Sequence, residues 1–205
     1  CVPIERGVID AVGSPPHPAG VSRASRVPLN GVDLEIAHRF DQARVPELPE
    51  VETTRRGILS RLQGRRIAAV TVRESRLRWP VTPRLAALLD GQSLLAIDRR
   101  GKYLLFRFTG GTLLVHLGMS GSLRVLTSPA EPCRKHDHLE WCWDDGSLLR
   151  YHDPRRFGAV LWVGEEASKH PLLAGLGPEP LGADFDGAYL FRRSRGRRSS
   201  VKQLL

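Results

Sequence analysis

The sequence predicts a mainly β fold, an antiparallel β-sandwich flanked by helices. Two observations predict it. Between residues 67 and 163 the chain breaks into short runs that are either apolar or alternate apolar with polar, as strands do. Turn-forming pairs, Gly110-Gly111 and Asp145-Gly146, separate neighbouring runs and mark hairpins. Many short strands at close spacing suit two packed antiparallel sheets.

Residues 1–44 are rich in Gly and Pro (GSPPHPAG at 13–20), show no sustained apolar period, and read as a disordered or non-native extension. Order begins at Leu48-Pro49. Proline suits a first helical turn, Glu50 and Glu52 complement the helix dipole, and Gly64 is a fitting stop. Val51, Ile58 and Leu62 share one face of this helix, while Arg55, Arg56 and Arg65 lie largely off it. Strands are expected at 67–72, 94–98, 103–108, 113–116, 123–126, 139–143, 148–151 and 159–163, with a short helix at 85–89. The loops HLGMSG (116–121), KHDH (135–138) and DPRRFG (153–158) hold most of the chemically capable side chains between these elements.

Composition narrows the function. With 41% hydrophobic residues in 205, the chain can bury a sizeable core, and no apolar run is long enough to span a membrane. Cys1, Cys133 and Cys142 form no C-x-x-C pair, which argues against a disulfide framework or a complete zinc site within the chain and fits a reducing, cytoplasmic setting. The net charge is +9. Residues 1–44 hold five Arg against five acidic residues, so the whole excess lies in 45–205. From Arg192 to Leu205 there are six cationic residues and no acidic one. Such a cluster suits a polyanion, because each neutralised phosphate releases condensed counterions.

The run Pro46-Glu47-Leu48-Pro49-Glu50-Val51-Glu52-Thr53 resembles the mature amino terminus of the formamidopyrimidine-DNA glycosylases. The likeness continues through RLRWP (76–80), RRGKYLL (99–105), HLGMSGSLR (116–124), KHDH (135–138), DPRRFGA (153–159) and LGPEPL (176–181). Seven motifs in family order cover nearly everything from Pro46 to Leu205. The resemblance implies a bifunctional DNA glycosylase and apurinic-site lyase of base excision repair, acting as a monomer on damaged double-stranded DNA. It implies the β-sandwich of that family's N-terminal domain, no nucleotide cofactor, and a structural zinc in a C-terminal zinc finger lying beyond this chain.

The chemistry explains why these residue types belong together. An N-terminal proline is a secondary amine that titrates near ~8, so part of it is unprotonated at neutral pH and attacks a sugar carbon. The resemblance gives this role to Pro46, with Glu47 as the general acid that opens the deoxyribose ring. Lys102, expected at the head of a strand, would hold DNA near the lesion and assist β-elimination. A base taken out of the stack leaves a hole, and Met119, Arg155 and Phe157 match the trio that the family inserts there. Arg155 would face the cytosine left behind by an oxidised guanine. His136 and Arg197 are candidate phosphate contacts, with Arg195 and Arg198 as one-residue alternatives to Arg197 and Lys202 as a further one. His138 and His152 read as hydrogen-bonded structural histidines.

Oxidised purines are the expected substrates, since the related branch for oxidised pyrimidines usually opens PEGPE and departs from this trio. That branch and a non-catalytic DNA-binding remnant are the competing readings. The expected division is an extension (1–45), a catalytic sandwich (46–180), and a basic linker into a helix–two-turns–helix segment (181–205). The fragment alone is expected to be inactive. Val45 stands where the family has its initiator methionine, so residues 1–45 are not expected in the working enzyme.

Overall fold

The computed structural model describes residues 45–127 and 131–200. The expectation for residues 1–44 and the candidate Lys202 lie outside them. Helix α1 (Leu48–Leu62) is followed by β1 (Ile67–Val72), α2 (Leu85–Leu89), β2 (Leu94–Arg100), β3 (Tyr103–Phe108), β4 (Gly111–His116) and β5 (Ser122–Leu126). Then come β6 (Asp137–Trp143), β7 (Leu148–His152), β8 (Ala159–Gly164), a 3-10 turn (Ala167–Lys169), α3 (Pro171–Ala174) and α4 (Gly187–Ser194). All eight expected strands are present, as two four-stranded sheets ordered β1-β6-β7-β5 and β2-β3-β4-β8. Every strand pairing is antiparallel.

One apolar cluster joins the two sheets. Ile97, Leu104, Phe106, Leu113 and Val115 of one sheet meet Leu139, Trp141, Trp143, Leu149 and Tyr151 of the other. Val51, Ile58 and Leu62, the face read from the helical period, close the same cluster from α1. Each large side chain buried this way stabilises the fold by about 1.5–3 kcal/mol. The outer face of the second sheet is covered too, where Leu105 and Leu114 meet Leu173 of α3. Burial on both faces explains why β4 reads as an unbroken apolar run rather than an alternation.

One local expectation is corrected. The β3–β4 hairpin turns at Thr109-Gly110, because Phe108 pairs with Gly111 and places that glycine inside β4. A Cβ on Gly111 would come 2.8 Å from the Trp162 ring. Its own φ of +144° and the close approach of that indole and of the Gly164 backbone (3.1 Å) together require glycine there. Strand β3 begins at Tyr103 as expected, and Lys102, immediately before it, is the second residue of the two-residue β2–β3 turn. Among the described residues no helix is long and apolar enough to cross a membrane.

Candidate active site and nucleic-acid interface

Pro46 and Glu47 immediately precede α1. Pro49 enters the first turn without forfeiting a helical hydrogen bond, the Glu47 carbonyl accepts the Val51 N–H (3.1 Å), and the Glu50 carboxylate accepts the Glu47 N–H (3.1 Å). The start of the helix is therefore fixed by its own sequence. The Glu47 side chain stays more than half exposed and forms an ion pair with Lys102 Nζ from a hairpin some fifty residues away. Pro46, half-buried, is one residue from that pair.

The Lys102 turn is held from two sides. Gly101 has φ +56°, the left-handed geometry that a two-residue hairpin needs at its first position. Its N–H donates to Glu179 Oε1 (2.6 Å). Glu179 also accepts from Arg99 (2.7 Å) and Arg100 (3.0 Å). Burial pushes the Glu179 carboxyl up, but the Gly101 N–H and the two guanidinium groups outweigh it and hold it below the usual carboxylate range. Arg99 donates in turn to Glu52 of α1 (3.2 Å), which also accepts from Arg55 and Arg56 (2.8 Å each). A continuous ionic chain thus ties the helix that carries Glu47 to the turn that carries Lys102. The sequence reading took Glu52 for a dipole partner and gave Glu179 no role. Their function depends on contacts across 47 and 80 positions.

The trio Met119, Arg155 and Phe157 is brought together. All three line an open groove of about 560 Å³ with Arg76, Leu77, Arg78 and Arg156. Met119 and Phe157 are 40% and 39% exposed and face the same groove. The Arg155 guanidinium stacks over the Phe157 ring at 4.7 Å. By residue type alone, Arg76 and Arg78 are two arginines of the RLRWP motif with no marked role. The available signal was alternation, since buried Leu77 turns both flanking arginines outward.

His116 was also missed. Burial first, then the charges of Lys102 and Arg78, push its imidazole below the ordinary value, so the ring is neutral at pH 7. Its Nδ1 accepts the Gly118 N–H (3.1 Å), which leaves Nε2 carrying the proton as a donor. His136 is half-buried, with its ring edge-on to His138 and His152. Desolvation, then the neighbouring His152 and Lys135, lower its pKa, so it faces solvent as a neutral hydrogen-bonding group rather than a cation. His138 is buried and bonds the Asp153 carbonyl (2.8 Å), and His152 bonds Asp137 (2.9 Å), the structural roles expected of them. Arg197 is exposed just beyond α4, with its N–H donating to the Ser194 carbonyl (3.1 Å). Among the described residues no hydrogen bond or ion pair connects it to the groove or to the Lys102 turn. No group of three or more described His, Cys, Asp or Glu side chains is arranged to hold a metal ion.

A family model described as the formamidopyrimidine-DNA glycosylase N-terminal domain matches residues 45–160. Curated formamidopyrimidine-DNA glycosylases of Thioalkalivibrio sulfidiphilus and Thiobacillus denitrificans are 62% and 60% identical over 159 and 161 residues. These matches take in 78% of this chain but 58% and 59% of the relatives, so the chain spans less than two thirds of their length. Among solved structures, the Lactococcus lactis glycosylase non-covalently bound to AP-site-containing DNA superposes with a TM-score of 0.69 at 32% identity, over 77% of this chain and 61% of that one. The Thermus thermophilus protein matches with a TM-score of 0.60 at 41% identity, over 72% of this chain and 52% of that one.

Proposed function

The chain belongs to the formamidopyrimidine-DNA glycosylase family, and from that premise we propose that residues 46–180 form the catalytic unit of a glycosylase and apurinic-site lyase acting on oxidised purines in duplex DNA. The observation that carries the reading is the ion pair between Glu47 and Lys102 beside Pro46. It gathers a candidate nucleophile, a carboxylate able to relay its proton and a DNA-holding ammonium from two separate elements.

In this mechanism the Pro46 nitrogen attacks C1′ of the flipped nucleotide, and the C1′–base bond breaks with its electron pair leaving on the base. The Glu47 carboxylate takes the proton released by the attacking Pro46 nitrogen and passes it to the ring oxygen, and the C1′–O4′ bond opens to give an iminium. The iminium draws electrons as the C2′ proton is removed and the C3′–O bond breaks, which nicks the strand. Lys102 holds the adjacent phosphate and assists that proton transfer. Arg155 pairs with the cytosine left unpartnered, while Met119 and Phe157 fill the gap and kink the step. His136 and the basic residues around Arg197 contact phosphates, which positions DNA without reading its sequence.

The nucleophile must be an amine. In an amide bond to Val45 the Pro46 nitrogen has no available lone pair, so the working form begins at Pro46. Borohydride reduction on an abasic duplex tests this directly. Protein extended to the full length of its relatives and starting at Pro46 is expected to become covalently attached to DNA, and the same protein retaining Val45 is not. Attachment at another residue, or equal attachment by both forms, would defeat the reading.

A further inference from the structure

We propose that Asp153 and Ser120 form a positioning clamp that holds Met119, Arg155 and Phe157 as one preassembled unit. The inference rests on the reading of those three as the residues inserted into DNA. Asp153 is fully buried and, among the described residues, makes no ion pair with a cation. Its carboxylate instead collects donors from different segments. Oδ1 accepts the Ser120 hydroxyl (2.7 Å), and Oδ2 accepts the Gly158 N–H (2.9 Å) and the Tyr151 hydroxyl (3.2 Å). Ser120 then accepts the Arg155 N–H (3.2 Å) on its own oxygen. One hydroxyl and one carboxylate therefore join the residue after Met119 to the residues that bear Arg155 and Phe157.

The Asp153 backbone extends the clamp. Its N–H donates to the His136 carbonyl (3.0 Å), and its carbonyl accepts the Arg156 N–H (3.2 Å). All three loops singled out in the sequence thus meet at one residue. Two glycines show how closely they pack. A Cβ on Gly118 would lie 2.5 Å from the Phe157 carbonyl carbon, and one on Gly158 would run into the Tyr151 hydroxyl and lie 2.5 Å from the His116 carbonyl. The loops touch backbone to backbone with no side chain between them. Between Arg155 and Phe157, Arg156 adopts φ +56°, a left-handed conformation that a non-glycine residue holds only where its surroundings impose it. Its carbonyl accepts the Arg78 N–H (2.7 Å).

A group that enters a base stack must otherwise be ordered at the moment of entry, and a clamp meets that cost in advance. Buried acceptors suit the task better than apolar contact, because they fix direction as well as distance.

The test uses the chain extended to the full length of its relatives and starting at Pro46, with two readouts. The first is hydrogen–deuterium exchange over residues 117–121 and 154–158, with the β3 strand (103–108) as reference. The second is fluorescence of 2-aminopurine placed opposite a tetrahydrofuran abasic analogue in a duplex, which reports displacement of stacked bases. Ser120→Ala, which leaves the core untouched, is expected to raise exchange severalfold in both loops and not in β3, and to remove most of the fluorescence change. Ser120→Thr keeps the hydroxyl and is expected to restore both; Asp153→Asn should follow Ser120→Ala. Exchange that rises in one loop only, or in neither, overturns the clamp. So does a Ser120→Ala protein whose fluorescence change matches the unaltered chain. If the unaltered chain gives no fluorescence change at all, the insertion reading itself fails, and the proposal with it.

Discussion

Replacing Glu52 by Gln should weaken the protein in a strongly pH-dependent way and loosen the Glu47–Lys102 pair without touching either residue. Glu52 accepts hydrogen bonds from Arg55, Arg56 and Arg99, and these hold its carboxyl at about 2 against an ordinary 4.5. The depression corresponds to a ceiling of about 3 kcal/mol. Solvent reaches the carboxylate and its partner Arg56 is largely exposed, so the realised contribution is roughly 1–2 kcal/mol. Because the folded pKa lies below the unfolded one, this stability is complete above pH 4.5 and disappears as pH falls toward 2. Glutamine preserves shape but cannot be ionised. Urea denaturation at pH 7 should show the variant less stable by that amount, and the gap should shrink severalfold by pH 2–3. With Arg99 released from α1, borohydride trapping on abasic DNA should also slow. An equal loss of stability at both pH values would show that shape rather than charge holds the helix to the hairpin, and would refute the reasoning.

Three further outcomes are expected. Gly158→Ala forces a methyl group into the Tyr151 hydroxyl and should lower stability by about 1–3 kcal/mol or more, read as a fall in Tm. Glu47→Gln should abolish excision of 8-oxoguanine while largely sparing cleavage of a preformed abasic site, whose sugar opens spontaneously; equal loss of both activities on gel assays would contradict the general-acid role. If Arg155 reads the orphaned base, excision should be roughly tenfold or more faster opposite cytosine than opposite adenine, since lost base contacts cost ~1–3 kcal/mol. Arg155→Ala should flatten that preference, and an unaltered enzyme indifferent to the opposite base would remove Arg155 from the role.

Much of the fold was legible because local chemistry and tertiary packing agree. The apolar period of α1 named the three residues that reach the core, and Pro49 and Glu50 marked its start. Strand positions emerged from short apolar runs, and the loops emerged as what lay between them. The hairpin turns were less legible. Gly110-Gly111 and Asp145-Gly146 offer equivalent signals, but only the second lies within its turn, because Gly111 already pairs with Phe108 inside β4, where its φ of +144° and the nearby Trp162 ring call for glycine. That Lys102, just ahead of its strand, belongs to a two-residue turn was equally hard to read. An alternating strand and a two-residue turn share the same local pattern until pairing fixes the register.

The sequence by itself determined the fold class, the family resemblance and the candidate residues Pro46, Glu47, Lys102, Met119, His136, Arg155, Phe157 and Arg197. Each of these depends on residue types and their spacing along the chain, which are visible before any folding. Only the tertiary structure decided which of them meet: Glu47 with Lys102, Met119 with Arg155 and Phe157, and Arg197 with none of these. It also decided which unremarked residues hold them, namely Glu52 and Glu179 around the hairpin and Ser120 and Asp153 beneath the loops. A carboxylate looks the same in sequence whether it faces water or a guanidinium eighty positions away. Its energy depends on the distance to that partner and on the solvent between them, and both are properties of the folded chain.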